Sequence, residues 1–543
     1  MTVAVILATG RIAGGHVPCP AAALSYAGGS GDTERLTLLA RLRGQLATLN
    51  VPDQRIITRP ELAPALRQDG HDVIESRGTL SDLREIAELA GQAEETIVVL
   101  TGDLVTGDEP LARLLLDAKG PATALTGPPP DAATPVRAER RRIASAGSPY
   151  HRVTEPNAGF PGALRIAHSR AGALAEIAEN LASLLDDPEA LERLSPEPET
   201  DGSTPGRAPE TIELLLVGLV RAGIPVAQCG DPQLVCLRAD SEEGVDAARA
   251  AIDAVDEDKV RLAAAVKSND GFFTTFAVST YSRYIARWAA RRGLTPNMVT
   301  SISMGIAVVA AVWFAAGTRT GMILGGVLFY FSFVFDCVDG QLARYSRQFS
   351  TLGAWLDAVF DRAKEYVVFV GLAAGSTAAA AGSGVDGGNV WGLAVAALAL
   401  QTVRHMIDFS YGASRRQKVA RPLPVLPLTS PDDGVPPPEP TPAERPAAEQ
   451  PAADRPTAEQ PAAAQDVQPN GGLAVRLSRS TSQVRMLHWA KKIIVLPIGE
   501  RFALIAITAA LFNAQVTFIA LLLWGSVAAM YTLTGRVMRS IAR

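Results

Sequence analysis

Two hydrophobic rhythms divide the chain. Over residues 1–265, short apolar runs of strand length alternate with amphipathic stretches: VAVILATG, a helical stretch near Leu36–Leu49, RIITRP, DVIES and TIVVLTGDLV. Strand alternating with helix predicts an α/β domain with a mainly parallel sheet. A second small α/β region, Glu210–Ala265, holds IELLLVGLVRAGIPVAQ and the strand QLVCLRA, and is expected to complete that domain. From Val299 onward long apolar segments dominate. Six spans are expected, at Val299–Gly317, Gly321–Leu342, Leu352–Ala374, Val390–Tyr411, Lys492–Phe512 and Ala514–Leu533. Each approaches the roughly 20 residues that a helix needs to cross about 30 Å of hydrocarbon. The predicted fold class is an N-terminal α/β domain followed by an all-α six-helix transmembrane domain.

Charge orients the spans. Arg283, Arg287, Arg291 and Arg292 precede the first, and Arg344 and Arg347 lie between the second and third. Arg415, Arg416 and Lys418 follow the fourth, Lys491 and Lys492 open the fifth, and Arg536, Arg539 and Arg543 follow the sixth. GSGVDGGN, between spans three and four, carries no positive charge. This pattern predicts a multi-pass protein of the cell membrane with both termini cytoplasmic. The formal net charge of −5 sums two unlike halves and says little about partners; no nucleic acid is expected. Thr280–Thr300 reads as an interfacial amphipathic helix, with Tyr281, Tyr284, Ile285 and Trp288 at helical spacing and a break at Pro296. The boundaries expected are 1–265 for the α/β domain, 266–298 for the junction, 299–412 for four spans, 413–485 for an insert and 486–543 for two more spans. The insert is rich in Pro, Ala and Glu, with ERPAAEQPAA nearly repeated as DRPTAEQPAA, a composition expected to form an extended, disordered cytoplasmic linker. The four cysteines are scattered, without a CxxC pair or histidine cluster, so neither zinc nor a disulfide framework is indicated. The opening MTVAVILATG lacks a basic leader and reads as a first buried strand.

The chemistry sits in FDCVDGQLARYSRQFSTLGAWLDAVFDRAKEY, Phe335–Tyr366, which places Asp336, Asp339, Asp357 and Asp361 at span ends. Spacings of three and four put each pair on one helix face, and antiparallel helices joined near Ser346–Thr351 bring the pairs together. Converging carboxylates without a cation repel and protonate, so a site for one or two hard cations, Mg²⁺ or Mn²⁺, is predicted. Gly340, Ala343 and Gly353 are small and leave ligand space, and Arg344 offers a planar fork for phosphate. For an acceptor, Arg362, Lys364 and Arg404 are candidates, with an internal Arg404–Asp408 pair the competing reading for Arg404; Glu500 and Arg501 are open to either role.

The pattern Asp336-xx-Asp339-Gly340-xx-Ala343-Arg344-x8-Gly353-xxx-Asp357-xxx-Asp361 resembles, at all its defined positions, the signature of CDP-alcohol phosphotransferases. GLTPNMVT, Gly293–Thr300, resembles that family's approach to its first span, and the likeness covers roughly Lys267–Arg543, interrupted by the Pro-rich insert. The resemblance implies a six-span dimeric membrane enzyme that transfers a substituted phosphate from a CDP-alcohol, CDP-diacylglycerol being favoured, to an acceptor hydroxyl with release of CMP. It implies two metal ions held by the four aspartates, Asp361 also as general base, and Gly340, Ala343 and Arg344 on the nucleotide. Two other classes compete. An ion-coupled transporter would spread its polar residues through the bilayer depth, and a membrane-anchored scaffold would not need the intact motif.

The opening strand, the helix TLLARLRGQLATL and the strand ending Thr101-Gly102-Asp103 resemble sugar-phosphate nucleotidyltransferases. That likeness implies a metal-holding role for Asp103. The glycine-rich stretch Gly10–Gly15 departs from the family in having no following Pro-Lys, which favours a degenerate scaffold or docking domain. Fusions of a cytidylyltransferase-like domain to a CDP-alcohol phosphotransferase suggest the acceptor is an inositol phosphate, VKSNDGFFTTF, Val266–Phe276, resembling their junction. The alternative is a bifunctional inositol-phosphate cytidylyltransferase and CDP-inositol-dependent phosphotransferase.

Overall fold

The structure, a computed structural model, describes residues 2–12, 19–27, 35–128, 134–194, 208–267, 270–383, 389–416, 423–434 and 485–541. It divides into an α/β unit, Met1–Glu257 with Arg421–Ala464, and a helical unit, Asp258–Ala420 with Gln465–Arg543.

The α/β unit is built on a ten-stranded mixed sheet. Thr2–Ala8 lies between Asp53–Thr58 and Thr96–Thr101, parallel to both. Its unbroken apolar run follows from burial on both faces. Val5 and Leu7 pack with Val99, Leu174 and Leu181 on one side, and Ala4 and Ile6 with Leu39, Leu46 and Val98 on the other. The helices Thr79–Gln92, Ala171–Asp186 and Thr211–Arg221 cover the first face, and Leu38–Thr48 covers the second. Thr37 caps Leu38–Thr48 by accepting the Ala40 N–H. Val226–Cys229 joins the same sheet parallel to Ala122–Leu125. Leu423–Gly434 also belongs to this unit: Arg221 donates to its carbonyls and Leu428 packs on the core. The linker composition therefore does not keep those residues free of fixed contacts; of the expected insert 413–485, residues 413–416 instead end the helix Val390–Arg416, Arg485 begins the helix Arg485–Ile494, and 417–422 and 435–484 lie outside the described residues.

In the helical unit the amphipathic helix Ser279–Arg291 ends near Gly293, whose φ of +73° suits glycine. Thr295 caps the first span, Pro296–Ala315, with Pro296 in its first turn. The second, third, fourth and last spans are Arg319–Ser346, Thr351–Ser383, Val390–Arg416 and Ala514–Ile541. The expected span Lys492–Phe512 is instead broken. Arg485–Ile494 forms one helix, and after Leu496 in the left-handed region and Pro497, Ile498–Leu511 forms another. Proline lacks the N–H that would continue the ladder. Ile498–Leu511 has 14 residues, about 21 Å of rise. Five described helices, not six, are long and apolar enough to cross a membrane.

These helices approach through small and hydroxyl residues, which suits packing where lipid supplies no hydrophobic drive. A Cβ at Gly375 would run into the Phe314 carbonyl oxygen, and one at Gly371 would lie 2.5 Å from that of Ala311, so the first and third spans touch backbone to backbone. Ser303 Oγ donates to Ser332 O at 2.7 Å, and Ser332 Oγ returns the bond at 2.8 Å. Phe329 and Phe502 stack at 4.4 Å between ring centroids. We predict that Gly375→Ala lowers stability by about 1–3 kcal/mol through overpacking, whereas Gly382→Ala, where nothing lies within 4 Å of the new Cβ, leaves it unchanged. Thermal midpoints of the two detergent-purified variants check this.

Candidate active site

The second span ends in a left-handed residue, Arg347, and the third starts at Thr351, so the chain reverses within a few residues. The helices then bring Asp336 and Asp339 to Asp357. One carboxylate oxygen from each lies within 4.8 Å of the others. The first span contributes Thr300, whose Oγ1 donates to Asp339 Oδ2 at 2.7 Å and fixes that carboxylate. Asp339 is 4% exposed. Asp361 stands at the same cluster through Lys364, which is fully buried, pairs with Asp336 and lies 3.7 Å from Asp361 Oδ1. That Asp361 oxygen is buried and accepts no hydrogen bond. Converging hard oxygens with an orphaned lone pair among them fit Mg²⁺ or Mn²⁺.

Lys364 was expected on the acceptor, and the structure corrects this. Three residues after Asp361, its four-carbon stem carries the ammonium back among the aspartates, where it offsets part of their charge. Arg344 donates Nε to the Ala265 carbonyl, and its Nη1 and Nη2 lie 3.4 and 3.5 Å from where a Gly340 Cβ would be. A Cβ at Gly340 would meet the guanidinium only in ordinary contact. At Gly353 a Cβ would stand 2.6 Å from Asn297 Oδ1, so the small residue accommodates the start of the first span. Ala343 is half-buried on the same helix.

Beside the cluster is a cavity of about 270 Å³ whose wall includes Asp361, Arg362, Arg404, His405, Asp408 and Arg501. Arg404 Nη2 donates to the carbonyls of Val495 at 2.8 Å and Leu496 at 3.2 Å. Those carbonyls are not consumed in a helical ladder because Val495 and Leu496 lie between the helices Arg485–Ile494 and Ile498–Leu511. Asp408, the partner for Arg404 in the competing reading, pairs with Arg536 of the last span. Arg501 is gripped by buried Glu365, with Nε and Nη2 at 3.0 and 2.7 Å from Glu365 Oε1. Arg362 lies over the Phe409 ring at 4.7 Å. The wall thus sets three guanidiniums and an imidazole beside three carboxylates, Asp361, Glu365 and Asp408, of which Glu365 is paired with Arg501 and Asp408 with Arg536.

Sequence reasoning left Arg501 ambiguous and did not select Thr300, Glu365 or His405. Thr300 stood within the quoted GLTPNMVT, and Glu365 within the quoted aspartate stretch. In the α/β unit, Asp103 sits at the carboxyl end of Thr96–Thr101, but both its oxygens are taken by Arg238. Nε is 3.1 Å from each, Nη2 is 2.8 Å from Oδ2, and Nη1 reaches Glu210 at 2.5 Å. A guanidinium holds this carboxylate.

Residues 293–424 match the CDP-alcohol phosphatidyltransferase family model. A phosphatidylinositol phosphate synthase of Mycolicibacterium smegmatis is 37% identical over 106 residues, 19% of this chain and 46% of that protein. An archaetidylinositol phosphate synthase of Pyrococcus horikoshii is 32% identical over 91 residues, 17% of this chain and 47% of that protein. A bifunctional IPC transferase and DIPP synthase of Rubrobacter xylanophilus is 38% identical over 92 residues, 16% of this chain and 20% of that protein. The chain spans about half the length, or less, of these curated relatives. Among solved structures, the inositol-1-phosphate CTP transferase from T. maritima aligns at 15% identity and TM-score 0.32, over 47% of this chain and 98% of that one.

If Thr300 orients Asp339 for a cation, Thr300→Val weakens Mn²⁺ binding roughly 10–100-fold, the usual cost of losing an outer-shell partner, and Thr300→Ser keeps it. Calorimetric titration of Mn²⁺ into the purified variants measures the difference.

Proposed function

We propose that this chain is a multi-pass membrane CDP-alcohol phosphotransferase. It moves the phosphatidyl group of CDP-diacylglycerol onto a hydroxyl of an anionic alcohol, an inositol phosphate, and releases CMP. One observation carries the reading: Asp361 belongs both to the aspartate cluster and to the wall of the arginine-lined cavity. The family match over residues 293–424 supports the reaction class.

Asp336, Asp339, Asp357 and Asp361 would hold one or two Mg²⁺ or Mn²⁺ ions, which when bound supply Lewis-acid stabilisation to the pyrophosphate. Arg344, anchored through Nε, turns its two remaining nitrogens to the donor phosphates, beside Gly340 and Ala343. Arg362, Arg404 and Arg501 seat the acceptor phosphate and place its hydroxyl at Asp361. Asp361 takes the hydroxyl proton as the acceptor oxygen bonds to phosphorus, the bond from phosphorus to the bridging oxygen breaks, and CMP leaves as the anion. Glu365 holds Arg501 in place, so this cation needs little reordering when the acceptor arrives.

The same reading places the protein in the cell membrane as a homodimer, with both termini and the aspartates cytoplasmic; the Lys and Arg residues flanking the spans support that orientation. The α/β unit acts as a scaffold and not as a cytidylyltransferase, because the guanidinium of Arg238 already satisfies Asp103. Pyrophosphate release from CTP with inositol phosphate is therefore expected to be absent, and a measured turnover would restore the bifunctional alternative.

The direct assay follows CMP release from CDP-diacylglycerol with Mg²⁺ and inositol, inositol phosphate, glycerol phosphate or serine. Inositol phosphate is expected to outpace inositol by tenfold or more. Arg404→Ala is expected to raise the acceptor KM on the order of tenfold through one lost charge-assisted contact, leaving Mn²⁺ binding unchanged. Equal rates for charged and uncharged acceptors would overturn the anion-seat assignment.

A further inference from the structure

Leu423–Gly434, LPVLPLTSPDDG, follows the fourth span in sequence but lies on the α/β unit. Pro424, Pro427 and Pro431 have no N–H, so this strap presents mainly carbonyl acceptors. The α/β unit answers with donors. Arg221 Nη1 donates to the carbonyls of Pro427 and Ser430, both at 2.6 Å, and Nη2 to that of Asp432 at 2.7 Å. His151 Nε2 meets Leu428 O at 2.9 Å, and the Arg152 N–H donates to Pro431 O at 2.8 Å. In return the Leu426 N–H donates to Arg221 O, and Asp433 accepts from the Thr154 N–H at 2.7 Å and from its hydroxyl at 3.2 Å. Leu428 seals the seam against the Leu184, Ala190 and Leu194 cluster. At Gly223, whose φ is +71°, a Cβ would stand 3.2 Å from Leu423 O, so the strap runs close over the end of Thr211–Arg221.

Arg221 and His151 are each 3% exposed. All the hydrogen bonds of the Arg221 guanidinium go to the strap, and so does the Nε2 bond of His151. Burial pushes the His151 imidazole down to about 4, with the Leu428 carbonyl opposing, so it is neutral at pH 7 and Nε2 carries the proton given to Leu428. Stripped of the strap, the Arg221 guanidinium and the His151 Nε2–H would exchange these fixed acceptors for water, and Leu184, Ala190 and Leu194 would lose the cover of Leu428. Residues 1–257 therefore draw fixed hydrogen-bond acceptors and apolar cover from a segment outside their own span of sequence.

We infer that Leu423–Gly434 is an integral docking strap, and that the α/β unit is a discontinuous domain completed by a segment synthesised only after the fourth span. The strap lies near the amino ends of Ala122–Leu125 and Val226–Cys229, whereas Asp103 lies at the carboxyl end of Thr96–Thr101, the edge where open α/β sheets take ligands. The strap thus closes the α/β unit along its back edge. It leaves the ligand edge uncovered by the strap.

Hydrogen–deuterium exchange of the full-length protein in detergent tests this. Replacing 423–434 by a Gly/Ser segment of equal length is expected to speed exchange in Thr211–Arg221 and Val226–Cys229 on the order of tenfold or more, with the first and second spans unchanged. A synthetic peptide of residues 423–434, added to that protein, restores protection; adding Arg221→Met to the variant abolishes the rescue. Exchange within twofold of the parent, or equal rescue with Arg221→Met, overturns the inference. Should the replaced protein not fold, Thr154→Val, Asp433→Ala and their double variant decide it. A double variant no worse than the worse single supports the contact, and fully additive acceleration refutes it.

Discussion

Four carboxylates gathered at the ends of two membrane helices are the constraint around which the helical unit is arranged. Removing an isolated carboxylate from water costs several kcal/mol even after relaxation, so the cluster persists only with counter-charge and oriented donors. The chain provides some of both: Lys364 lies between Asp336 and Asp361, and Thr300 pins Asp339 from a third helix. That third helix must come close, and the glycines of the third span permit it, since any side chain at Gly375 would collide with the first span's backbone. In the proposed reaction, the converging oxygens of Asp336, Asp339 and Asp357, with Asp361 beside them, would hold the divalent ions.

In the proposed function, the anion seat follows from a defect in helix regularity. Leu496 and Pro497 end one helix and start another, and the carbonyls exposed there orient Arg404 and help hold Arg501. A continuous span would have consumed those carbonyls in its own ladder. The broken span therefore gives the cavity two fixed guanidiniums, and Asp361 joins it to the aspartates. In the proposed reaction this shared residue is what lets the donor phosphorus and the acceptor hydroxyl meet.

The aspartate cluster was legible from spacing alone, because three- and four-residue intervals fix a helix face whatever surrounds it. The alternating strands and helices of the α/β unit were legible for the same local reason. What escaped was set by distant partners. Asp408 looks like the partner of Arg404 at i, i+4, but Arg536, 128 residues away, takes it. Lys364 reads as an acceptor-binding cation until the burial of its side chain among the aspartates is seen. Asp103 reads as a metal ligand until Arg238 from another strand closes on it. Leu423–Gly434 reads as linker by composition, yet its prolines leave carbonyls that Arg221 needs. In each case a local pattern named the residue and tertiary structure chose its partner.

The most direct test of the central claim, that the four aspartates form a cation site for the donor pyrophosphate, is ³¹P magnetic resonance of CDP-diacylglycerol bound to the purified protein with Mn²⁺. Paramagnetic broadening of both phosphorus signals in the wild-type protein, lost in Asp336→Asn and Asp357→Asn variants that still fold, is the predicted result. Unbroadened signals in the wild type, or broadening that survives both substitutions, would contradict it.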